Sequence, residues 1–398
     1  MARPLKVFII AGEPSGDKLG GNLMLGLREL TNEQVEFSGV GGEMMQAAGL
    51  KSLFDMSDLT MMGLVEVIPA IPKIKQRIAQ TVKAAKEANA DVFITIDSPD
   101  FCLRVGKQLR LQPNPPYCIH YVAPSVWAWR PERAAKMAKS VDHVLALLPF
   151  EPPYMEAAGM SCDFVGHPAA AEEIPNQDYI QSVLGDLNLE PTDKIISVLP
   201  GSRRAEIKRL LPVYMQAISE IRKQRPDIKF ILPAARPVLD ELNAILASGS
   251  VPIQVLDPTE YDPLEAEKRK RALYASSQLA IATSGTIALD LAKQRCPMVV
   301  AYKASWLTER AVKRLALTDR ANLINIATDS YVIPELMFEK CTPAAIMDAV
   351  CDILSNKAKR VAQVNACDTV MQQLGEGDEA TGLRAAKSVL NAIRKNQK

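Results

Sequence analysis

Short apolar, β-rich runs recur along this 398-residue chain, each followed by a helical or loop-like stretch, and this alternation restricts the fold more than any other feature. Residues 7–11, 35–40, 92–96, 117–122 and 143–148 are the strand candidates of the first half, and 195–199, 229–232, 253–256, 279–282 and 298–301 those of the second. Strands that return through helices pair in parallel and bury both faces of their sheet. The chain is longer than a single core usually sustains, so the reading is α/β with two domains, each built on its own parallel sheet. The expected boundaries are 1–168, 169–365 and a terminal helical segment, 366–398. Gly166-His167-Pro168 and the polar residues 172–177 form the hinge between the first two. After the polar connector 375–379, Leu383, Ala386, Leu390 and Ile393 mark one helix face that is expected to pack back on the first domain. Ile207, Leu210, Leu211, Tyr214, Ile218 and Ile221 also keep helical spacing, with Pro212 expected to kink or split that helix.

Composition removes several function classes. A net charge of +1 gives no global basic field, so no nucleic-acid partner is expected. Seven cysteines, an odd number without a C-x-x-C pair, argue against a disulfide framework and against zinc, which fits a reducing cytoplasm. The apolar run 7–11 is too short for a signal-peptide core. Residues 111–129 have membrane-spanning length, but Pro113, Pro115, Pro116 and Pro124 break any helix there. The chain is therefore expected to be soluble or to sit on a membrane surface. His120, His143 and His167 are too scattered for a metal site, and Lys268-Arg269-Lys270-Arg271 reads as a solvated helix face.

Chemistry concentrates at predicted strand ends. Leu199-Pro200-Gly201-Ser202-Arg203-Arg204-Ala205-Glu206 turns from a strand into a helix, exposing backbone N–H groups beside a guanidinium. Thr283-Ser284-Gly285-Thr286 repeats that logic before residues 287–291. Two such turns suit a diphosphate, and neither matches the ATPase loop or the dinucleotide fingerprint. Ordinary strand–helix punctuation is the competing reading. In the first half, Glu13 (residues 11–17) and Asp97 (residues 96–101) are placed to accept a proton from an attacking hydroxyl, whereas Asp100 reads as a helix N-cap. His120 reads as a hydrogen-bonded core residue. The loop 123–129 holds two of the three tryptophans, as a packed wall or a sugar platform. Residues 61–72, followed by Lys73, Lys75 and Arg77, suit acyl chains and anionic headgroups, with core packing the commoner alternative.

These motifs, with Met62–Val67, His120–Trp129, Pro297–Tyr302 and Asn322-Leu323-Ile324, run nearly the whole chain in one order. Together they resemble the lipid-A-disaccharide synthase family of inverting glycosyltransferases. The resemblance implies a GT-B fold, two Rossmann-like domains facing each other across a cleft. It also implies transfer of 2,3-diacylglucosamine from UDP to 2,3-diacylglucosamine 1-phosphate (lipid X), forming the β-1,6-linked lipid A disaccharide. By that resemblance Asp97, Arg203 and Asn322 are tied to activity. The expected assignment is Asp97 and Glu13 for catalysis and Gly201, Ser202, Arg203, Ser284, Gly285, Thr286, Asp290 and Asn322 for UDP. Ser15, Gly16, Met61, Met62, Leu64, Ser125 and Trp127 are assigned to the lipid acceptor. No cofactor and no metal is expected, the chain having no Asp-x-Asp triplet. The implied location is the cytoplasmic face of the inner membrane, held peripherally, and self-association into a homo-oligomer is compatible with it. Three departures stand out: Arg204 where Gly is usual, Asp290 where Glu is usual, and a longer segment at 257–271. The alternatives are another GT-B enzyme of UDP-GlcNAc, an epimerase or a peptidoglycan-lipid transferase, and a non-catalytic lipid- or nucleotide-binding module.

Overall fold

Two six-stranded sheets account for the alternation, and every strand pairing among the described residues is parallel. The computed structural model describes residues 3–60, 67–249 and 251–396. The first sheet holds β1 (Leu5–Ala11), β2 (Val35–Val40), β3 (Val92–Ile96), β4 (Tyr117–Tyr121), β5 (His143–Ala146) and β6 (Ser161–Phe164). The second holds β7 (Lys194–Leu199), β8 (Ile228–Pro233), β9 (Gln254–Leu256), β10 (Leu279–Ala282), β11 (Met298–Tyr302) and β12 (Glu335–Met337). Their spatial orders are β2-β1-β3-β4-β5-β6 and β12-β11-β10-β7-β8-β9. In each, the chain starts in the interior and winds out both ways. The order therefore reverses once per sheet, between β1 and β3 and between β7 and β10, and the carboxyl ends of strands at such a reversal are where open α/β sheets bind ligands.

Alternation along each strand builds the layers. Val7, Ile9 and Ala11 of β1 join one core cluster, while Phe8 and Ile10 join the cluster on the opposite face. The second sheet does the same, Ile196 and Val198 on one side and Ile195 on the other. The edge strands β6 and β12 escape the sequence reading because they are short and only part-buried, which leaves no apolar run to see.

The chain divides into two units, Met1–Ala171 with Gly377–Lys398, and Glu172–Glu376. The first is completed by the last helix, Thr381–Asn396, whose Ala385, Ala386, Val389 and Ile393 join the β1/β3 cluster. That helix approaches Pro14–Leu30 so closely that a Cβ on Gly26 would lie 2.7 Å from the Gly382 carbonyl oxygen. His143 on β5 pins it further: the imidazole bonds Ser161 Oγ at 2.7 Å and Ser388 Oγ at 2.8 Å, and Ser388 donates to Asp163 at 2.6 Å. The preceding helix, Lys357–Gln373, belongs to the second unit, where the buried Gln363 accepts from Met298 N–H and donates to Met298 O.

Two expectations need correction. Arg204–Gln224 is one helix that contains Pro212 without splitting. A helix-interior proline costs roughly 3 kcal/mol. The flanking Ile207, Leu210, Leu211, Tyr214, Ile218 and Ile221 are all buried, each worth roughly 1.5–3 kcal/mol, and outweigh it. The basic run 268–271 is not simply a solvated face. Arg269 pairs with Asp186 and Glu265 and stacks on Tyr261, Lys268 lies over the Tyr179 ring, and Arg271 pairs with Glu172. The long 257–271 segment thus bolts the helix Pro263–Ser276 to Gln177–Asp186. No helix among the described residues is long and apolar enough to cross a membrane.

Candidate functional site at the carboxyl edges of two sheets

In the first unit Ala11 pairs with Ile96, so Gly12-Glu13 and Asp97-Ser98 leave the sheet at the same level. The two turns touch: a Cβ on Gly12 would lie 2.4 Å from Ser98 Oγ. Asp97 and Ser98 both take left-handed backbone (φ 50° and 44°), with Asp97 N–H donating to Tyr121 O at 3.0 Å. Val122 (φ 82°) and Arg130 (φ 51°) do likewise where the next loop begins and ends, and for the β-branched Val122 that is a pronounced outlier. Each such residue costs of order 1–3 kcal/mol, and clusters of them mark functional sites. Asp97 is half-buried and Glu13 exposed. Ser98, not Asp100, is the N-cap residue of the helix Pro99–Leu109; Asp100 sits exposed in its first turn, which corrects the expected cap. Ser15 is exposed, while Gly16 is buried, its Cβ position at ordinary contact distance from Ile96 and Ala11.

The loop after β4 exposes Ser125 and half-buries Trp127, whose ring meets Phe150 edge-on at 5.2 Å. Trp129 is exposed beneath the guanidinium groups of Arg130 and Arg133. His120 is buried and bonded to Thr95 Oγ1 at 2.7 Å; burial lowers it to about 4, leaving a neutral core imidazole at pH 7. Burial also lowers His167 to about 4, and its Nδ1 accepts from Ala169 N–H. Met61, Met62 and Leu64 lie outside the described residues. Beyond them, Lys73 and Arg77 pair with Asp58. Lys75, Arg104 and Lys107 instead line a groove of about 370 Å³ with Ile78, Ala79 and Gln108.

In the second unit Leu199 pairs with Ala282, and Thr283 N–H donates to Leu199 O at 2.9 Å, so the two turns again leave together. Here the left-handed positions are Gly201 (φ 115°) and Gly285 (φ 152°), where glycine carries little strain. Glu206 Oε2 accepts from Ser202 N–H at 3.1 Å and Arg203 N–H at 3.3 Å, so the turn already seats a carboxylate on its backbone donors. The Arg203 side chain is 80% exposed, 3.6 Å from Glu206. Thr283 Oγ1 is buried without a partner among the described residues. Ser284, Gly285, Thr286 and Asp290 follow at the surface.

Asn322 lies deeper, 2% exposed. Its Oδ1 caps the helix Leu323–Ala327 through Ile324 N–H at 2.8 Å, and its backbone N–H donates to Glu335 at 3.2 Å. It shapes the loop whose Ala321 carbonyl accepts from Ser284 Oγ. Glu335, which also accepts from Ala321 N–H and Asn325 Nδ2, escaped the sequence reading, as did the buried Glu151. Neither belongs to a local motif; Glu151 reaches Trp127, 24 positions away, and Glu335 reaches Ala321, 14 positions away. No group of three or more His, Cys, Asp or Glu among the described residues is gathered as a metal would require.

Two solved structures share this architecture. UDP-GlcNAc 2-epimerase from Neisseria meningitidis, bound to UDP-GlcNAc, matches with a TM-score of 0.62 at 13% identity over 99% of this chain and all of that one. The glycotransferase of kitacinnamycin matches at 0.61 and 14% identity, over 98% of this chain and all of that one. At such identities the likeness shows the fold alone. Curated relatives are much nearer. The lipid-A-disaccharide synthase of Ruegeria pomeroyi is 45% identical over 98% of this chain and 96% of its own length. That of Rhodospirillum centenum is 42% identical over 99% and 96%. The family profile described as lipid-A-disaccharide synthetase matches residues 7–389, and the chain belongs to that family of GT-B glycosyltransferases.

Proposed function

We propose that the protein condenses UDP-2,3-diacylglucosamine with 2,3-diacylglucosamine 1-phosphate, releasing UDP and forming the β-1,6-linked lipid A disaccharide with inversion at the anomeric carbon. One observation carries this reading: Glu13 and Asp97 stand at the switch point of the first sheet, and Gly201–Arg203 and Ser284–Thr286 at that of the second. Asp97 takes the proton from the acceptor 6-hydroxyl as its oxygen attacks, and Glu13 is the alternative base. The departing diphosphate is met by the turn N–H groups, the hydroxyls of Ser284 and Thr286, and the Arg203 guanidinium. The carboxylate of Glu206 on those N–H groups supports an anion seat and means that a phosphate must share or displace it. Asp290 is assigned to the ribose. Asn322 acts by holding the loop behind Ser284 rather than by contact.

Ser125 and Trp127 form part of the acceptor surface. Met61, Met62 and Leu64 meet the acyl chains, and the basic groove of Lys75, Arg104 and Lys107 favours the anionic face of the cytoplasmic membrane. The deciding experiment is UDP release by the purified protein with both lipid substrates. Release that requires diacylated donor and acceptor together supports the reading. Epimerisation of UDP-GlcNAc, or UDP binding without turnover, would overturn it.

A further inference from the structure

The first unit buries two carboxylates among its described residues, and they are used differently. Asp17 accepts N–H bonds from Gly42, Met44 and Met45 at 2.7, 2.9 and 3.1 Å and so caps the helix Glu43–Ala47. Glu151 lies 3% exposed past the carboxyl end of β5, and its side chain does not cap the helix Pro152–Glu156 that follows. Its Oε2 accepts from Leu148 N–H at 3.0 Å, and its Oε1 accepts from the Trp127 indole at 3.3 Å. The carboxylate therefore ties the turn after β5 to the loop after the neighbouring β4. Val122 anchors the start of that loop, with its N–H on Leu145 O, and Ala123 and Val126 pack in the cluster with Met155 and Cys162.

We infer that Glu151 is a positioning residue for the acceptor sugar: it fixes the Trp127 indole in the loop on which the acceptor rests. The inference depends on the acceptor placement proposed above. The indole N–H of the half-buried Trp127 has its partner in Glu151, and a carboxylate with two oxygens can satisfy it and the turn at once. The ionisable groups on the adjoining elements are Arg130 at the end of the loop, Glu132, Arg133 and Lys136 on the helix Glu132–Met137, His143 on β5, Cys162 and Asp163 on β6, and Tyr154 and Glu156 on the following helix; the two groups bonded to the Glu151 carboxyl are Leu148 N–H and the Trp127 indole. Burial raises Glu151 to about 7, opposed by the Leu148 and Trp127 bonds. Ordinary carboxyls titrate near 4, so opening that brings Glu151 to water becomes easier as pH rises from about 4 to about 7 and no easier beyond. The tether is tightest at the acid end of that range, and the acceptor KM should rise across it and level off above neutrality.

The test uses the full chain with Trp129 and Trp306 replaced by Phe for emission spectra, and with native tryptophans for kinetics. Trp127 emission should titrate near neutrality, and Glu151→Gln should abolish that titration. The same variant should raise the acceptor KM roughly two- to tenfold, the worth of one net hydrogen bond, and make it independent of pH, with kcat and UDP affinity unchanged. Trp127→Phe, which leaves the carboxylate in place, should raise the acceptor KM alike and serves if Glu151→Gln fails to fold. Emission that is flat with pH in the Glu151 protein would overturn the tether. A titration lost in Glu151→Gln with no change in acceptor KM would overturn the acceptor placement and the positioning role with it.

Discussion

The two carboxyl edges solve the same geometric problem with opposite residue choices. In the turns after β3 and β4 the left-handed positions are Asp97, Ser98 and Val122, residues for which that backbone is costly. In the turns after β7 and β10 they are Gly201 and Gly285, for which it is nearly free. A turn that serves through its backbone N–H groups gains by having no side chain. A turn that must hold a carboxylate at one place gains nothing from glycine and tolerates the strain. The contrast fits the proposed assignment, side-chain chemistry at the first edge and a backbone anion seat supplemented by Arg203 and the hydroxyls at the second.

Asp97→Asn tests the contrast most severely. It should lower kcat by roughly 10²–10⁴, the usual worth of a general base, and leave UDP affinity near wild type. A near-normal kcat would move the base to Glu13 and leave the strain at Asp97 without a catalytic use. Arg203→Ala should act on the other edge, weakening UDP binding by about 1.5–3 kcal/mol in calorimetry, since it removes a bond to a charged group. Normal UDP affinity would remove the phosphate assignment from the second unit. Gly285→Ala is finer: no atom lies within 4 Å of the added Cβ, so any effect comes from backbone strain, about 1–2 kcal/mol. Loss of that size in urea unfolding, with weaker UDP binding, would confirm that the glycine is there for its conformation. The smallest expected effect is none: turnover in excess EDTA should persist, because the leaving diphosphate is met by this chain's own donors. Loss restored only by Mg²⁺ or Mn²⁺ would show the second edge to be incomplete by itself.

The sequence shows most clearly what is local and periodic. The runs at 92–96 and 279–282 coincide with β3 and β10, because strands buried on both faces are almost uniformly apolar; the run at 35–40 coincides with β2, where Val35, Gly39 and Val40 are buried and Glu36 is exposed. The turns that break them are equally plain. β6 and β12 are hidden by half-burial, and the continuity through Pro212 depends on burial along the whole helix, not on the proline itself. Asp100 looked like a cap because caps are chosen by residue type, whereas the helix starts at Pro99 with its N-cap at Ser98, two residues earlier. Glu151 and Glu335 were invisible for a third reason. Their meaning lies in partners brought near by the sheet, Trp127 for one and Asn322 for the other.

The helix Thr381–Asn396 has a consequence for how the protein is made. It packs on Pro14–Leu30 and against β4 and β5, so the first unit lacks one wall until this helix has been translated. The second unit, continuous from Glu172 to Glu376, has all its strands beforehand. Vectorial synthesis ordinarily favours the amino-terminal domain. Here the second unit can finish first, while residues 3–171 wait, with the face of Pro14–Leu30 around Asn22 and Gly26 uncovered, for that helix to be translated.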